Sequence, residues 1–403
     1  MSFSVLSGDS LVTSFMLIIA AAVGLSVIAV GILVAFYQRF WYERILRPSF
    51  DSSYNPSCAI IVPCKGSDDG LRPSIDAYLS VDYDNFEIIF AVESEHDSAV
   101  PVIKEAISGK PNAKLVVAGL SSRCAQKNWN MLKGVENANK PDVYVFADAD
   151  ITPQKEWLHE LILPLSRSDA AATTGFRWIH LAKGSFGQYN HMFFNNFLYV
   201  LFCTASMIGN AGLWGGSMAM RREDFEKLGV AERWKETVVD DMSLAEIIMK
   251  NKKRSVLVPP CITDTNEALP LQKSTAWIER QMMFLKMYHT HLWCLAMPVV
   301  FSILLIQLWL IPAVIISSIS SRSFFELGGA APLAFTALDL LAAPLYIFMG
   351  RIDRFFRFIV QEPLLRWMHL YALARTSFTN TIIWSGVEYR LRVFSGKVIS
   401  VKR

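Results

Sequence analysis

The sequence predicts an α/β domain, a mostly parallel sheet covered by helices, held between apolar helical segments at both ends. Three observations predict it. Short β-branched runs alternate with helical patterns through the middle of the chain, charge-free apolar stretches bracket that middle, and the whole is unusually poor in charge. Of the 403 residues, 52% are hydrophobic and only 19% charged, whereas a soluble domain carries roughly 25% charge. The net charge of +3 is too small to argue for a nucleic-acid partner. Six cysteines (Cys58, Cys64, Cys124, Cys203, Cys261, Cys294) form no CxxC pair and no zinc-finger spacing with histidine, which favours reduced thiols over disulfides or structural zinc.

The first element is the charge-free run 10–38, longer than the ~20 residues a helix needs to cross a bilayer. It starts after Asp9, unlike a secretory signal with its basic start. An aromatic cluster (Phe36, Tyr37, Phe40, Trp41, Tyr42) and Arg39, Arg44 and Arg47 close it. Positive charge on that flank places the following chain in the cytoplasm. A second charge-free run occupies 292–319, and a third, 331–350, is interrupted by Asp339 and followed by Arg351, Arg354 and Arg357. The stretch 358–384 holds Glu362, Arg366 and Arg375. A charge at the bilayer centre costs at least ~2.5 kcal/mol, so this stretch reads as embedded or interfacial. The basic tail favours a cytoplasmic end, although a full span at 358–384 would put it outside. The resulting division is an anchor at 1–48, a globular domain at 49–290 with an interfacial helix near 185–207, and membrane segments with a basic tail at 291–403.

Within the globular domain, Cys58–Pro63, Phe86–Val92, 114–118 and Val143–Ala147 read as strands, and Leu71–Leu79 and 100–107 as helices between them. Strand and helix in alternation imply a parallel sheet, whose ligands sit at the carboxyl ends of the strands. Polar residues gather at those ends. Asp148 and Asp150 leave the strand Val143–Ala147 together, a pair able to hold Mg²⁺ or Mn²⁺ with phosphate oxygens; a solvated turn is the plainer account of the same letters. Glu93, Glu95 and Asp97 follow a second strand, as a ligand site or an acidic loop. Lys127 precedes the acidic pair by about twenty residues and is either a phosphate partner or a surface lysine. Asp240 and Asp241 stand before the helical pattern 242–249, where Asp suits a helix start and where a carboxylate facing a cleft can also accept a proton from a hydroxyl. Residues 277–284 form an amphipathic helix, ordinarily a membrane-surface element, from which Arg280 could reach a diphosphate. Phe186–Met207 is rich in aromatics, either an interfacial helix that admits an acceptor or a buried one. His191 within it reads as a packing residue.

With these residues in view, the chain resembles the inverting glycosyltransferases typified by cellulose synthase and dolichol-phosphate mannose synthase. More closely it is similar to the ceramide glucosyltransferases of glycosyltransferase family 21. The likeness runs along nearly the whole chain and implies a GT-A domain, the Rossmann-like nucleotide-diphospho-sugar transferase fold, with transmembrane helices at both ends. It implies a first acidic site in 92–97 with Glu93 the nearest match, nucleotide-sugar contacts from Lys65, Glu95, Lys127 and Arg280, and a metal site at Asp148 and Asp150. It implies a general base at Asp241 beside Asp240, an acceptor-side loop at 215–221 that includes Gly216, and a YRLR tail at Tyr389-Arg390-Leu391-Arg392. The family's (Q/R)xxRW motif departs here. Arg280 is kept, while Met283 and Phe284 replace Arg and Trp, leaving Phe284 as the aromatic and Arg280, Lys286, Arg390 and Arg392 as substitutes for the lost charge.

The activity so implied is hexose transfer, glucose from UDP-glucose first, to the primary hydroxyl of a membrane lipid such as ceramide, with inversion to a β-glycoside. Hopanoid, diacylglycerol or polyprenyl phosphate as acceptor, UDP-GlcNAc, UDP-galactose or UDP-glucuronate as donor, and an inactive membrane scaffold are the alternatives. The implied setting is a multi-pass membrane protein of a bacterial inner membrane or a Golgi membrane, its globular domain cytoplasmic.

Overall fold

Strand β1 (Cys58–Pro63) is buried over nearly its full length, as an apolar run must be when both faces of its sheet are covered. In the computed structural model it pairs in parallel with β2 (Phe86–Val92) on one side and β4 (Val143–Ala147) on the other, with β3 (Ala113–Val117) beyond β2. The structure describes residues 36–320, 323, 326–329 and 367–403, apart from positions 182 and 267. Helices α1 (Leu71–Leu79), α2 (Ala99–Ala106) and α3 (Gln126–Glu136) make the crossovers. The chain steps outward from β1 to β3 and then returns to the far side of β1. That reversal opens a crevice at the carboxyl ends of β1 and β4.

The other half of the sheet is mixed. Its order is β3-β2-β1-β4-β6-β5-β7, with β5 (Ala170–Ile179), β6 (Ser217–Arg221) and β7 (Arg254–Thr265). Strand β6 runs antiparallel to both neighbours, whereas β5 and β7 are parallel. Because Ala147 faces Ser217 in this register, the residues that lead into β6 arrive beside the residues that leave β4. Helix α4 (Trp157–Ile162) follows β4. Helices α6 (Arg222–Lys227), α7 (Val230–Trp234) and α8 (Asp241–Lys250) follow β6. A core of Ile61, Ile89, Phe146, Met131, Leu132, Trp234, Leu244 and Ile248 fills the space between sheet and helices. Phe146 and Trp234 meet edge to face at 4.8 Å.

Helix α5 (Phe186–Met207) starts with a capping box between Ser185 and Gln188. One face is buried: Tyr189 and Tyr199 are covered, and Asn195 and Asn196 bond to the β5 backbone at Arg177 and Ile179. His191 is buried and accepts the Leu269 N–H at 3.2 Å, a packing role.

The chain divides into two compact units. One contains Phe36–Ser274, Met283–Thr290 and Thr379–Arg403; the other contains Thr275–Met282 and His291–Phe378. The basic tail, Thr379–Arg403, carries a three-stranded antiparallel sheet in the same unit as β1–β7, formed by β8 (Thr381–Trp384), β9 (Val387–Leu391) and β10 (Val398–Lys402). Its inner residues Ile382, Val387, Tyr389 and Leu391 bury against Val238, Val239, Met283, Phe284 and Met287.

Helix α9 (Leu271–Tyr288) contains 277–284. The single span expected over 292–319 is two consecutive helices, α10 (Thr290–Leu308) and α11 (Leu310–Ile319). Pro312 has no N–H to offer Leu308, so the ladder breaks there. Among the described residues no helix is long and apolar enough to cross a membrane. The expected runs at 10–38, up to residue 35, and at 331–350, and the stretch 358–366, lie outside the described residues.

Candidate active site

Four chain segments meet where β1, β2 and β4 end. After β1, Gly66 takes a left-handed conformation (φ 75°), and its N–H donates to Asp97 Oδ1 at 2.8 Å. Asp97 also accepts the Ala99 N–H at the start of α2, so it ties the end of β1 to the end of β2. Lys65 Nζ lies 3.3 Å from Glu93 Oε2, and Arg403 approaches the same oxygen at 3.9 Å. Glu95 is exposed. Of the three acids after β2, Glu93 and Asp97 thus face the β1 loop.

Lys127 is the centre of the next group. The first turn of α3 carries it to the end of β4, where Nζ lies 2.8 Å from Asp148 Oδ1 and 3.1 Å from Asp240 Oδ2, and donates to the Gly215 carbonyl at 3.1 Å. Burial works against the ammonium, but the Asp148 and Asp240 carboxylates more than offset it and raise Lys127 above its ordinary range. Burial also holds Asp148 above the usual carboxylate range, with Lys127 pulling the other way.

Gly215 must be glycine for space. A Cβ there would collide with the Asp240 carboxylate and come within 3.0 Å of Lys127 Nζ. Its neighbour Gly216 accepts the Asp148 N–H at 3.1 Å. The Gly215 N–H donates to Asp241 Oδ2 at 3.0 Å, and the Met242 N–H to Asp241 Oδ1 at 2.6 Å. Burial, then repulsion by Asp240, pushes the Asp241 carboxyl up to about 7.

A cavity of about 270 Å³ opens here, lined by Lys65, Gln126, Lys127, Asp148, Asp150 and Trp384 among others. Asp240 and Asp241 are not in its lining. They connect to Asp148 through Lys127 and Gly215 instead. Among the described residues no group of three His, Cys, Asp or Glu side chains forms a ready metal cage. Asp148 and Asp150 do converge, however. One nitrogen, Arg177 Nη2, lies 2.8 Å from Asp150 Oδ1 and 3.7 Å from Asp148 Oδ2. Two hard oxygen donors aimed at one cationic atom suit a divalent ion that completes its shell with substrate oxygens.

The structure does not gather every candidate. Arg390 and Arg392 are exposed, and Arg392 lines a different cavity with Arg123, Glu236 and Lys397. Tyr389, Trp384 and Ser385 of the same sheet line the first cavity instead. Phe284 is buried in the apolar cluster under that sheet, 6.2 Å from the Trp384 ring. Arg280 belongs to the other unit, and burial lowers its guanidinium to about 10. Lys286, in the unit that holds the cavity, donates to Thr379 O and Asn380 Oδ1 at 2.8 and 2.9 Å, so it pins the small sheet. Sequence reading missed Arg177 and Trp384, and it singled out Gly215 and Tyr389 only as members of the 215–221 loop and the YRLR tail. The only signal for Arg177 was a charge inside the run TTGFRWI.

Comparison with known proteins agrees with this architecture. The mannosyltransferase PcManGT from Pyrobaculum calidifontis, solved in complex with GDP-Man and Mn²⁺, superposes with a TM-score of 0.53 at 16% identity, over 90% of this chain and 99% of that one. Ceramide glucosyltransferase 1 of Caenorhabditis elegans is 23% identical over 195 residues, 48% of this chain and 42% of the relative. Probable glycosyltransferase YdaM of Bacillus subtilis is 26% identical over 204 residues, 47% of this chain and 44% of the relative. The matched stretches thus span less than half of these curated relatives. The family model for glycosyl transferase family 21 matches residues 23–397. With that match along most of its length and a GT-A-like α/β fold beneath it, the chain belongs to glycosyl transferase family 21.

Proposed function

We propose that this protein transfers a hexose, glucose from UDP-glucose first, to the primary hydroxyl of a membrane lipid of the ceramide class, with inversion at the anomeric carbon. The observation that carries the proposal is the bridge made by Lys127, which joins Asp148 to Asp240 across 92 residues of sequence at the mouth of the strand-end crevice. In this reading the nucleotide lies in the cavity between the β1 loop, the start of α3 and Trp384. Asp148 and Asp150 hold Mg²⁺ or Mn²⁺, and the cation, when bound, supplies charge neutralisation for the departing diphosphate. Lys127 adds fixed positive charge beside it. Asp241, held by two backbone N–H groups, removes the proton from the acceptor hydroxyl. The hydroxyl attacks opposite the leaving group, so an α-linked donor gives a β-glycoside. A carboxylate with a pKa of about 7 is tuned for such a task near neutrality.

A lipid acceptor and a multi-pass membrane setting with the catalytic unit cytoplasmic are part of the same proposal. They are supported by the similarity to a ceramide glucosyltransferase, by the apolar run 10–38, and by exposed apolar side chains on α10 and α11. Leu295, Phe301, Leu305, Ile315 and Ile319 are all at least half exposed, a pattern that water penalises and hydrocarbon does not. The test is incubation of the purified protein with Mn²⁺, a panel of labelled UDP-sugars and lipid acceptors in vesicles, with the anomeric configuration of any product read by NMR. A β-glucosyl ceramide is the expected product. An α-linked product would overturn inversion, a different labelled lipid would overturn the acceptor, and no transfer from any donor would support an inactive scaffold.

A further inference from the structure

Arg177 lies on β5 and faces the carboxylates that leave β4. Its Nη2 sits 2.8 Å from Asp150 Oδ1 and 3.7 Å from Asp148 Oδ2, while its guanidinium carbon is 5.4 Å from the centre of the Trp214 ring. The backbone around it is fixed, since the Arg177 carbonyl accepts from Asn195 of α5 at 2.8 Å. The side chain is only 23% exposed. Two acids one residue apart repel each other, and Lys127 offsets Asp148 alone. Arg177 supplies the second positive charge, at the point on which both acids converge.

We propose that Arg177 is a positioning residue that makes divalent-cation binding depend on the donor: it occupies the cation's place between Asp148 and Asp150 until a nucleoside diphosphate arrives. This rests on the metal-dependent reading above. The physical argument is exclusion. A guanidinium and a divalent ion cannot share the same two carboxylates, because both are positive and both need the same oxygens. A divalent ion alone must displace a formed ion pair. A nucleotide brings phosphate oxygens, and guanidinium pairs well with phosphate. With those oxygens present, Arg177 gains new acceptors as it leaves the old ones, and Trp214, one residue before the Gly215 loop, keeps a ring face beneath it. The consequence is order: cation and donor enter together, and bare enzyme holds the ion weakly.

The test is Mn²⁺ binding followed by the EPR signal of the free ion, on the full-length protein in detergent, with and without UDP. Wild type is expected to bind Mn²⁺ more tightly with UDP than without. Arg177→Gln should bind Mn²⁺ about tenfold more tightly than wild type in the absence of UDP, within the range by which groups around a metal site tune affinity, and its gain from UDP should shrink. Arg177→Lys, which keeps the charge but loses the planar fork, should fall between, and it decides the matter if the Gln variant shows no cooperative thermal transition. UDP-free affinity in the folded variants equal to or weaker than wild type overturns the proposal while leaving the metal site intact. If wild type binds no Mn²⁺ with either UDP or GDP, the metal-dependent reading itself fails, and this inference with it.

Discussion

Asp241 and Lys127 carry most of the electrostatic consequence at the scale of single residues. Asp241 is pushed up to about 7 by burial and by Asp240, and a base acts only when deprotonated. The acidic limb of kcat/KM should therefore rise tenfold per pH unit up to about pH 7 and then level. Asp241→Asn should remove transfer while leaving the melting temperature near wild type, measured by product formation and by circular dichroism; transfer at the wild-type rate would refute the assigned base. Lys127 has the opposite character, because it is needed to hold the site together. Asp240 is 2% exposed, so Lys127→Ala strands a buried carboxylate. Breaking such a pair costs about 3 kcal/mol, which urea unfolding should register as a lower midpoint, together with weaker UDP binding. Asp148 and Asp150 were readable in advance because they leave a strand that announces itself by β-branched composition, Asp240 and Asp241 because they open a helical pattern, and Lys127 by its spacing before the acidic pair. Arg177 was not readable, and Gly215 was read only as part of a loop, since their contacts follow from the register of β5 and β6, and no local pattern specifies that register.

The four parallel strands at the scale of secondary elements follow from short apolar runs bounded by turn residues, and β1, β2 and β4 fall within the very limits such runs suggest. Strand β5 hides in an alanine- and threonine-rich stretch, and β7 is interrupted by two prolines, which weakens its signal. The small sheet within the basic tail went unread because alternation in VEYRL looks polar until a partner surface is known. That partner is Val238, Val239, Met283, Phe284 and Met287. Met283 and Phe284, which stand at the motif positions where the resemblance implies Arg and Trp, are both nearly fully buried beneath β8 and β9. The hairpin between these strands uses Ser385 and Gly386, both at positive φ, as a two-residue turn of the primed type requires. Lys286 fixes its base through Thr379 and Asn380. Hydrogen bonds to a charged group contribute about 1.5–3 kcal/mol. Lys286→Ala should thus destabilise the unit by about 2 kcal/mol in urea titration and raise KM for the donor with a smaller change in kcat. An unchanged KM would mean that the hairpin does not bear on donor binding.

Considered as a whole, the chain builds its catalytic unit from pieces far apart in sequence, with 379–403 returning to a sheet that begins at Cys58. Composition and apolar runs announced the broad plan, an α/β domain among apolar segments, but not this return, which depends on long-range packing alone. Its importance can be tested by deletion. Removing Thr379–Arg403 would uncover Val238, Val239, Met283, Phe284 and Met287, each at most 6% exposed, and uncovering apolar area costs roughly 25 cal/mol per Å². It would also take away Trp384, Ser385 and Tyr389 from the cavity lining and the Arg403 bonds to Ser121 and Gln126. Val238 and Val239 lead directly into Asp240 and Asp241, so loosening them reaches the proposed base as well as the proposed nucleotide cavity. A detached tail would predict none of this. The deletion protein is expected to melt several degrees lower and to lose UDP binding in calorimetry, and wild-type UDP affinity after deletion would show that the sheet is no part of the donor site.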